Sequence, residues 1–222
     1  MPDELRNHLA AVKAVIFDYG DVLCHRPTAA QIKRLAGFFG VSSDVFGELW
    51  ERNRGPYDRG DLTPEAYWSI LAEDAGTKIP PGKLEEICDL DMAMWSNVNS
   101  DMVEWALQLA SGGMKLGLLS NMHRDMVAHA RAHFAWLKSF DCVTLSAEAR
   151  LIKPNPAIYE QTLHGLGVSA SETLFLDDRE VNIQGARALG IQAIRFQSMA
   201  QLRSELQATG FAILPENSCP SP

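Results

Sequence analysis

The sequence has no run of roughly 18 consecutive apolar residues, the least that a helical membrane span needs. Its opening segment, Met1 to Gly20, puts acids first and offers only short apolar stretches, whereas a secretory leader needs a basic start and a long apolar core. Cationic residues are in deficit: 20 Lys and Arg stand against 28 Asp and Glu, a formal charge of −8. No global positive field is available to gather a nucleic-acid backbone or an anionic lipid surface. An anionic small molecule remains open, provided a local site supplies its own cations and amides. Cysteine is scarce too. Cys24, Cys88, Cys142 and Cys219 stand far apart and form no CxxC pair, which argues against a zinc site and a disulfide-stapled fold. The expectation is a cytoplasmic protein with free thiols, a small-molecule partner, no nucleic acid and no membrane, its oligomeric state unspecified.

What the chain does have is apolar matter in short pieces. Of its 222 residues 46% are hydrophobic, enough for one domain or for a core carrying an inserted subdomain. The runs Ala14 to Phe17, Lys115 to Leu119, Phe140 to Leu145, Thr173 to Leu176 and Gln192 to Phe196 read as buried parallel strands. Helical patterns at Ser100 to Leu109, Asp125 to Phe134, Pro156 to Leu166 and Asn182 to Leu189 alternate with them. That alternation predicts an α/β fold, a Rossmann-like doubly wound parallel sheet whose ligands sit at the carboxyl ends of the strands.

From about Thr28 to Trp95 the alternation stops. Helical signals follow one another at Gln31 to Phe39, Ser43 to Arg52, Glu65 to Ala75 (with Thr63 as N-cap and Pro64 after it) and Lys83 to Met94. Gly55-Pro56 and the run Asp58 to Asp61 read as loops. The expected organisation is a Rossmann-like core of residues 1–24 and 96–214, a helical cap of residues 25–95, and a disordered tail of residues 215–222. An insertion directly after the first strand either covers the strand ends as a lid or is a plain stabilising subdomain. The aromatic stripe Phe46, Trp50, Trp68 and Trp95 reads as its core.

Four short segments carry polar chemistry. Asp18 closes the first apolar run, in Val15-Ile16-Phe17-Asp18-Tyr19-Gly20-Asp21, either as a turn residue or as a carboxylate projecting into the ligand crevice. Ser120-Asn121 ends the second run, either as a helix cap or as a hydroxyl with backbone amides facing an anion. Lys153 sits in Ile152-Lys153-Pro154-Asn155-Pro156, a Pro-rich turn before a helix, on a solvated face or as a phosphate clamp. Asp177-Asp178 ends Leu174-Phe175-Leu176, either as an exposed turn or as a pair whose mutual repulsion calls for a shared cation such as Mg²⁺.

Taken in order, Asp18, Ser120, Lys153 and Asp177-Asp178 stand at the ends of successive strands, and here the sequence resembles the haloacid-dehalogenase-like hydrolase superfamily. The resemblance runs from Val15 to about Phe196. Leu119-Ser120-Asn121, Lys153-Pro154 and Phe175-Leu176-Asp177-Asp178-Arg179 are most similar to helical-cap phosphatases of the bacterial α-glucose-1-phosphatase type. It implies that Asp18 is the nucleophile of a Mg²⁺-dependent phosphatase acting on a small phosphate monoester, such as a sugar phosphate, through an aspartyl-phosphate. It further implies that Ser120 and Lys153 hold phosphoryl oxygens with amides near Tyr19, Gly20 and Asn121. Mg²⁺ would then be bound by Asp18, the Gly20 carbonyl and Asp178, with Asp177 acting through a metal-bound water.

One departure stands out. Most phosphatases of that superfamily carry a second Asp two places after the nucleophile as general acid–base, and here that place is Gly20. Asp21, one position on, is a substitute only if its side chain turns back toward the leaving group. The competing readings are a 2-haloacid dehalogenase with the same nucleophile and a non-catalytic binding protein on the same fold. His25, His123 and Arg124 are further candidates for lining the crevice.

Overall fold

The computed structural model describes residues 12–209, so Cys219 and the segment 215–222 fall outside the described residues. Five strands form one parallel sheet: β1 (Ala14–Phe17), β2 (Lys115–Ser120), β3 (Cys142–Leu145), β4 (Thr173–Asp177) and β5 (Gln192–Arg195), in the order β3-β2-β1-β4-β5. The chain builds outward from β1 to β2 and β3, then crosses back to place β4 and β5 on the other side. The reversal at β1 opens a crevice at the carboxyl ends, where doubly wound sheets bind ligands. Register decides which residues meet there: Phe17 pairs with both Leu118 and Leu176, and the Asp18 amide donates to the Leu176 carbonyl at 2.8 Å.

Every residue of β1 and β4 is buried, as a central strand covered on both faces requires. On one face Val15 and Phe17 join Trp105 of helix α5 (Ser100–Ser111, counting from the insertion's four helices below) in one apolar cluster. On the other, Ile16 and Phe175 meet Ile158 and Tyr159 of α8 (Pro156–Leu166) and Ile183 of α9 (Glu180–Ala188). Helices α6 (Arg124–His133), the short α7 (Ser146–Ala149) and α10 (Met199–Thr209) complete the core; the last two are not among the helices expected from the sequence, although Leu202 and Leu206 of α10 keep helical spacing.

The insertion contains α1 (Ala29–Phe39), α2 (Ser43–Asp58), α3 (Pro64–Asp74) and α4 (Leu84–Met94). Their starts follow from local chemistry. Thr28 and Gln31 form a reciprocal capping box, Ser42 caps α2, and Thr63 accepts from the Ala66 amide with Pro64 behind it. These helices bury an apolar cluster of their own, with Phe46, Tyr67, Trp68 and Leu71 fully enclosed. Cys24 and Val98 pair as an isolated antiparallel bridge where the chain leaves and re-enters the core.

One expectation fails here. Gly55, Pro56 and Asp58 are not loop residues, because α2 runs on through all of them to Asp58. Proline does remove a helical hydrogen bond, but tertiary contacts hold the last turn. Arg54 pairs with Asp58 at 2.9 Å, and Tyr57 is stacked between Tyr67, at 4.2 Å, and His123, at 4.5 Å.

Candidate active site

The residue after β1 enters a single wide turn, Tyr19–Leu23, closed by the Cys24 amide donating to the Tyr19 carbonyl at 2.9 Å. Within it Gly20 is extended and Asp21 is left-handed, with φ at 56°. Asp18 is buried at the head of this turn. Its Oδ1 accepts from the Tyr19 amide and from Lys153 Nζ, both at 2.7 Å.

Lys153 is enclosed as completely as a core leucine and lies equally close, at 2.7 Å, to Asp177 Oδ2. Its backbone is clamped by the side chain of Asn121, which accepts from the Lys153 amide at 2.8 Å and donates to its carbonyl at 3.2 Å. The turn is pressed against α9 at Gly185, where an added Cβ would stand 2.9 Å from Pro154 and 3.2 Å from the Tyr159 hydroxyl. Glycine is what permits that approach.

Asp177 and Asp178 have different surroundings. Asp177 is fully buried and takes bonds from Lys153, from the Arg179 amide at 2.8 Å and from Asn182 Nδ2 at 3.0 Å. Asp178 keeps 21% of its side chain exposed, and among the described residues its ion pair is with Arg26, at 3.8 Å. Carboxylate oxygens of Asp18, Asp177 and Asp178 lie within 4.8 Å of one another. Burial above all, then the neighbouring acids, pushes Asp178 up to about 6. For Asp18 burial outweighs the pull of Lys153, and Asp177 adds to it, so its carboxyl is pushed up to about 8. Burial opposes the charge on Lys153, yet Asp177 and Asp18 hold its ammonium above the usual lysine range.

Three carboxylates facing one ammonium leave a surplus of two negative charges when all are ionised. A divalent cation with a preference for oxygen ligands fits that donor set, and Mg²⁺ is the natural one. Asp178, with oxygens free of strong partners, and Asp18 are the residues best placed to hold it. Asp177 is committed to holding Lys153, a role that sequence reasoning did not assign. Asn182 was noticed only as a neighbour of the acidic pair; its position in the first turn of α9 was the available signal.

These groups line one cavity of about 280 Å³, shared between the strand ends and the helical insertion. Asp18, Tyr19, Gly20, Ser120, Asn121, Lys153 and Asp178 lie on its core side; Ile32, Trp50, Arg54 and Trp95 come from the insertion. The aromatic stripe therefore divides: Phe46 and Trp68 are enclosed in the insertion's core, while Trp50 and Trp95 stack on each other at 5.7 Å beside the cavity. His25 is exposed and outside it, and Arg124 is drawn away to the Gly60 carbonyl at 3.1 Å. His123 does reach the cavity wall, but as a buried ring stacked on Tyr57, held neutral by burial and by Arg54.

Asp21 is paired through one oxygen, while its Oδ1 is buried without a hydrogen-bond partner. Its Oδ2 accepts from Arg26 Nε at 2.8 Å. Asp21→Asn is therefore expected to change kcat/KM for a primary alkyl phosphate by less than about threefold. Loss of a working general acid would instead cost roughly 10²-fold or more, and a loss of that size would make Asp21 the acid.

A parallel α/β sheet with a helical insertion after β1, and an Asp-Lys-Asp cluster at its carboxyl edge, defines a class of hydrolase with an aspartate at its centre. Residues 94–196 match the family model for haloacid dehalogenase-like hydrolase. The chain is 26% identical over 200 residues to the sesquiterpene phosphatase astK of Aspergillus oryzae, covering 88% of this chain and 95% of that one. It is 23% identical over 194 residues to the (S)-2-haloacid dehalogenase 4A of Burkholderia cepacia, covering 83% of each. Other relatives are much longer: the chain spans 41% of the bifunctional epoxide hydrolase 2 of Rattus norvegicus, with 29% identity, and 36% of the drimenol cyclase drtB of Aspergillus calidoustus.

The fold is also that of a HAD family enzyme from Bacteroides thetaiotaomicron solved with magnesium and inorganic phosphate. There the TM-score is 0.65 and the identity 20%, over 86% of this chain and 98% of that one. The chain's fold is thus that of solved haloacid dehalogenase-like enzymes, and residues 94–196 carry the similarity to that family. Among the described residues no helix is long and apolar enough to cross a membrane.

Proposed function

We propose that the protein is a Mg²⁺-dependent phosphatase that cleaves a small phosphate monoester through an aspartyl-phosphate on Asp18. The observation that carries this reading is the buried chain Asp18–Lys153–Asp177, whose first two members line one cavity with the more open Asp178 and Ser120. A 2-haloacid displacement needs no such cluster of acids. The names of two similar proteins, a sesquiterpene phosphatase and a magnesium and phosphate complex, support the same choice.

In the proposed reaction an oxygen of Asp18 attacks phosphorus, the bond from phosphorus to the alcohol oxygen breaks, and the departing alkoxide takes a proton from water. Water then attacks the aspartyl-phosphate, releasing inorganic phosphate and restoring the carboxylate. Lys153 and the Ser120 hydroxyl hold phosphoryl oxygens and damp the charge that the anion brings to an acidic site. Asp18, the Gly20 carbonyl and Asp178 would hold Mg²⁺, which when bound would supply the remaining neutralisation. With no carboxylate at Gly20, easily departing groups such as aryl phosphates should turn over fastest.

Phosphate release from an aryl phosphate is expected to require Mg²⁺ and to stop in excess chelator. Release undiminished by chelator, or halide release from a 2-haloacid in its place, would overturn the reading.

A further inference from the structure

The phosphatase reading leaves the alcohol half of the ester open, and the cavity walls bear on it. The Trp95 ring lies over the nucleophile turn: a Cβ placed on Gly20 would stand 3.5 Å from its Cζ3. A group leaving phosphorus at Asp18 therefore departs toward an indole, at the place where relatives position a carboxylate. Trp50 continues this surface, stacked on Trp95 at an interplanar angle of 19°. The Nε1 atoms of both rings are buried, so what the two indoles turn to the cavity is carbon. Ile32, Met122 and Met126 extend the apolar lining.

The cationic side chains of the same walls are already paired, although His123 lines the cavity with both ring nitrogens buried and without a hydrogen-bond partner. Arg54 is bound to Asp58 at 2.9 Å and Asp91 at 3.5 Å, Arg179 to Glu51 at 3.0 Å, and Arg26 to Asp21 at 2.8 Å. Arg54 is further sandwiched by rings, with its guanidinium carbon 5.0 Å from the centre of Trp50. A polyhydroxylated leaving group would have to break such pairs or bury hydroxyls without partners, and an unpaired polar group in a site is strongly disfavoured. An apolar group meets no such obstacle and gains from burial against the indoles. The cavity, at about 280 Å³, sits at the small end of the roughly 300–1,000 Å³ usual for small-molecule sites, which limits the group to a ring or a short chain.

Resting on the phosphatase reading, we propose that the substrate is the phosphate monoester of a small apolar alcohol, aromatic, alicyclic or branched, seated against Trp50 and Trp95, and not a sugar phosphate.

The test separates binding from chemistry. Calorimetry with Mg²⁺ compares benzylphosphonate with 2,3,4-trihydroxybutylphosphonate, two non-hydrolysable mimics of similar size. Turnover compares the corresponding phosphate esters, benzyl phosphate and erythritol 4-phosphate, both primary. Benzylphosphonate is expected to bind at least about tenfold more tightly. That ratio should fall below about threefold in Trp50→Ala and persist in Trp50→Phe, which keeps an aromatic face. Equal binding, tighter binding of the hydroxylated mimic, or binding of neither overturns the proposal. If neither ester releases phosphate while the binding preference and its loss in Trp50→Ala remain, the phosphatase reading fails and the apolar specificity of the cavity stands.

Discussion

Replacing Asp18 with Asn is expected to lower turnover of an aryl phosphate by at least about 10⁴-fold, because an amide cannot serve as the nucleophile. The same change should leave the metal-free protein as stable as before or more so. Burial raises the Asp18 carboxyl from 3.8 to about 8, so the folded protein prefers the proton there. Stability from this group is fully present below the unfolded value, near pH 3.8, and is lost as pH rises through the folded value near 8. Above neutrality the ionised carboxylate opposes folding, and a neutral isostere removes that opposition. Melting temperatures in chelator should therefore decline less between pH 5 and pH 8 for Asp18→Asn than for the natural protein. Retained turnover would end the nucleophile assignment, and a steeper decline in the variant would show that the Asp18–Lys153 pair is net stabilising.

Removing Lys153 should be damaging in two ways at once. Its ammonium is the shared partner of Asp18 and Asp177, at 2.7 Å from each. In Lys153→Ala those carboxylates face each other, and stranding a buried charge costs about 3–5 kcal/mol. The cost depends on pH with a definite sign. Without the ammonium the Asp18 carboxyl rises further above its unfolded value, so the penalty is largest at pH 8 and shrinks toward pH 5 as it takes up a proton. Urea denaturation in chelator at the two pH values checks this. Turnover should fall by roughly 10³-fold or more, since phosphoryl oxygens lose their cation. A variant with unchanged stability at both pH values would show that Lys153 is not the counter-charge of this cluster.

Much of the core was legible before any coordinates. The runs ending at Phe17, Leu119, Leu145 and Leu176 occupy the observed strands to within two residues, because a strand buried on both faces must be almost continuously apolar. The cap at Thr63 was equally plain, and Thr28 and Ser42, not read as caps from the sequence, act in the same way on amides three residues away. Both signals are local, and local chemistry suffices to produce them. The passage through Gly55-Pro56 was misread for the same reason. Local rules favour a break there, and what prevents it is the stacking of Tyr57 on Tyr67 and His123, far away in the chain.

The chain alone determined that Asp18, Ser120 and the Asp177-Asp178 pair stand at strand ends, because strand positions follow from periodicity and the residues after them are read directly; Lys153 instead stands in the turn between α7 and α8, beyond the end of β3. Only the tertiary structure decided what each does there. Sequence treats Asp177 and Asp178 as equivalent neighbours, but successive residues leaving a strand point in different directions. One faces Lys153 and Asn182 in the interior and the other faces the cavity. Likewise Phe46, Trp50, Trp68 and Trp95 share one composition and one helical pattern. The docking of the insertion on the strand ends leaves two of them in its core and sets the other two at the cavity wall, with Trp95 over the nucleophile turn, and no local signal encodes where that surface falls.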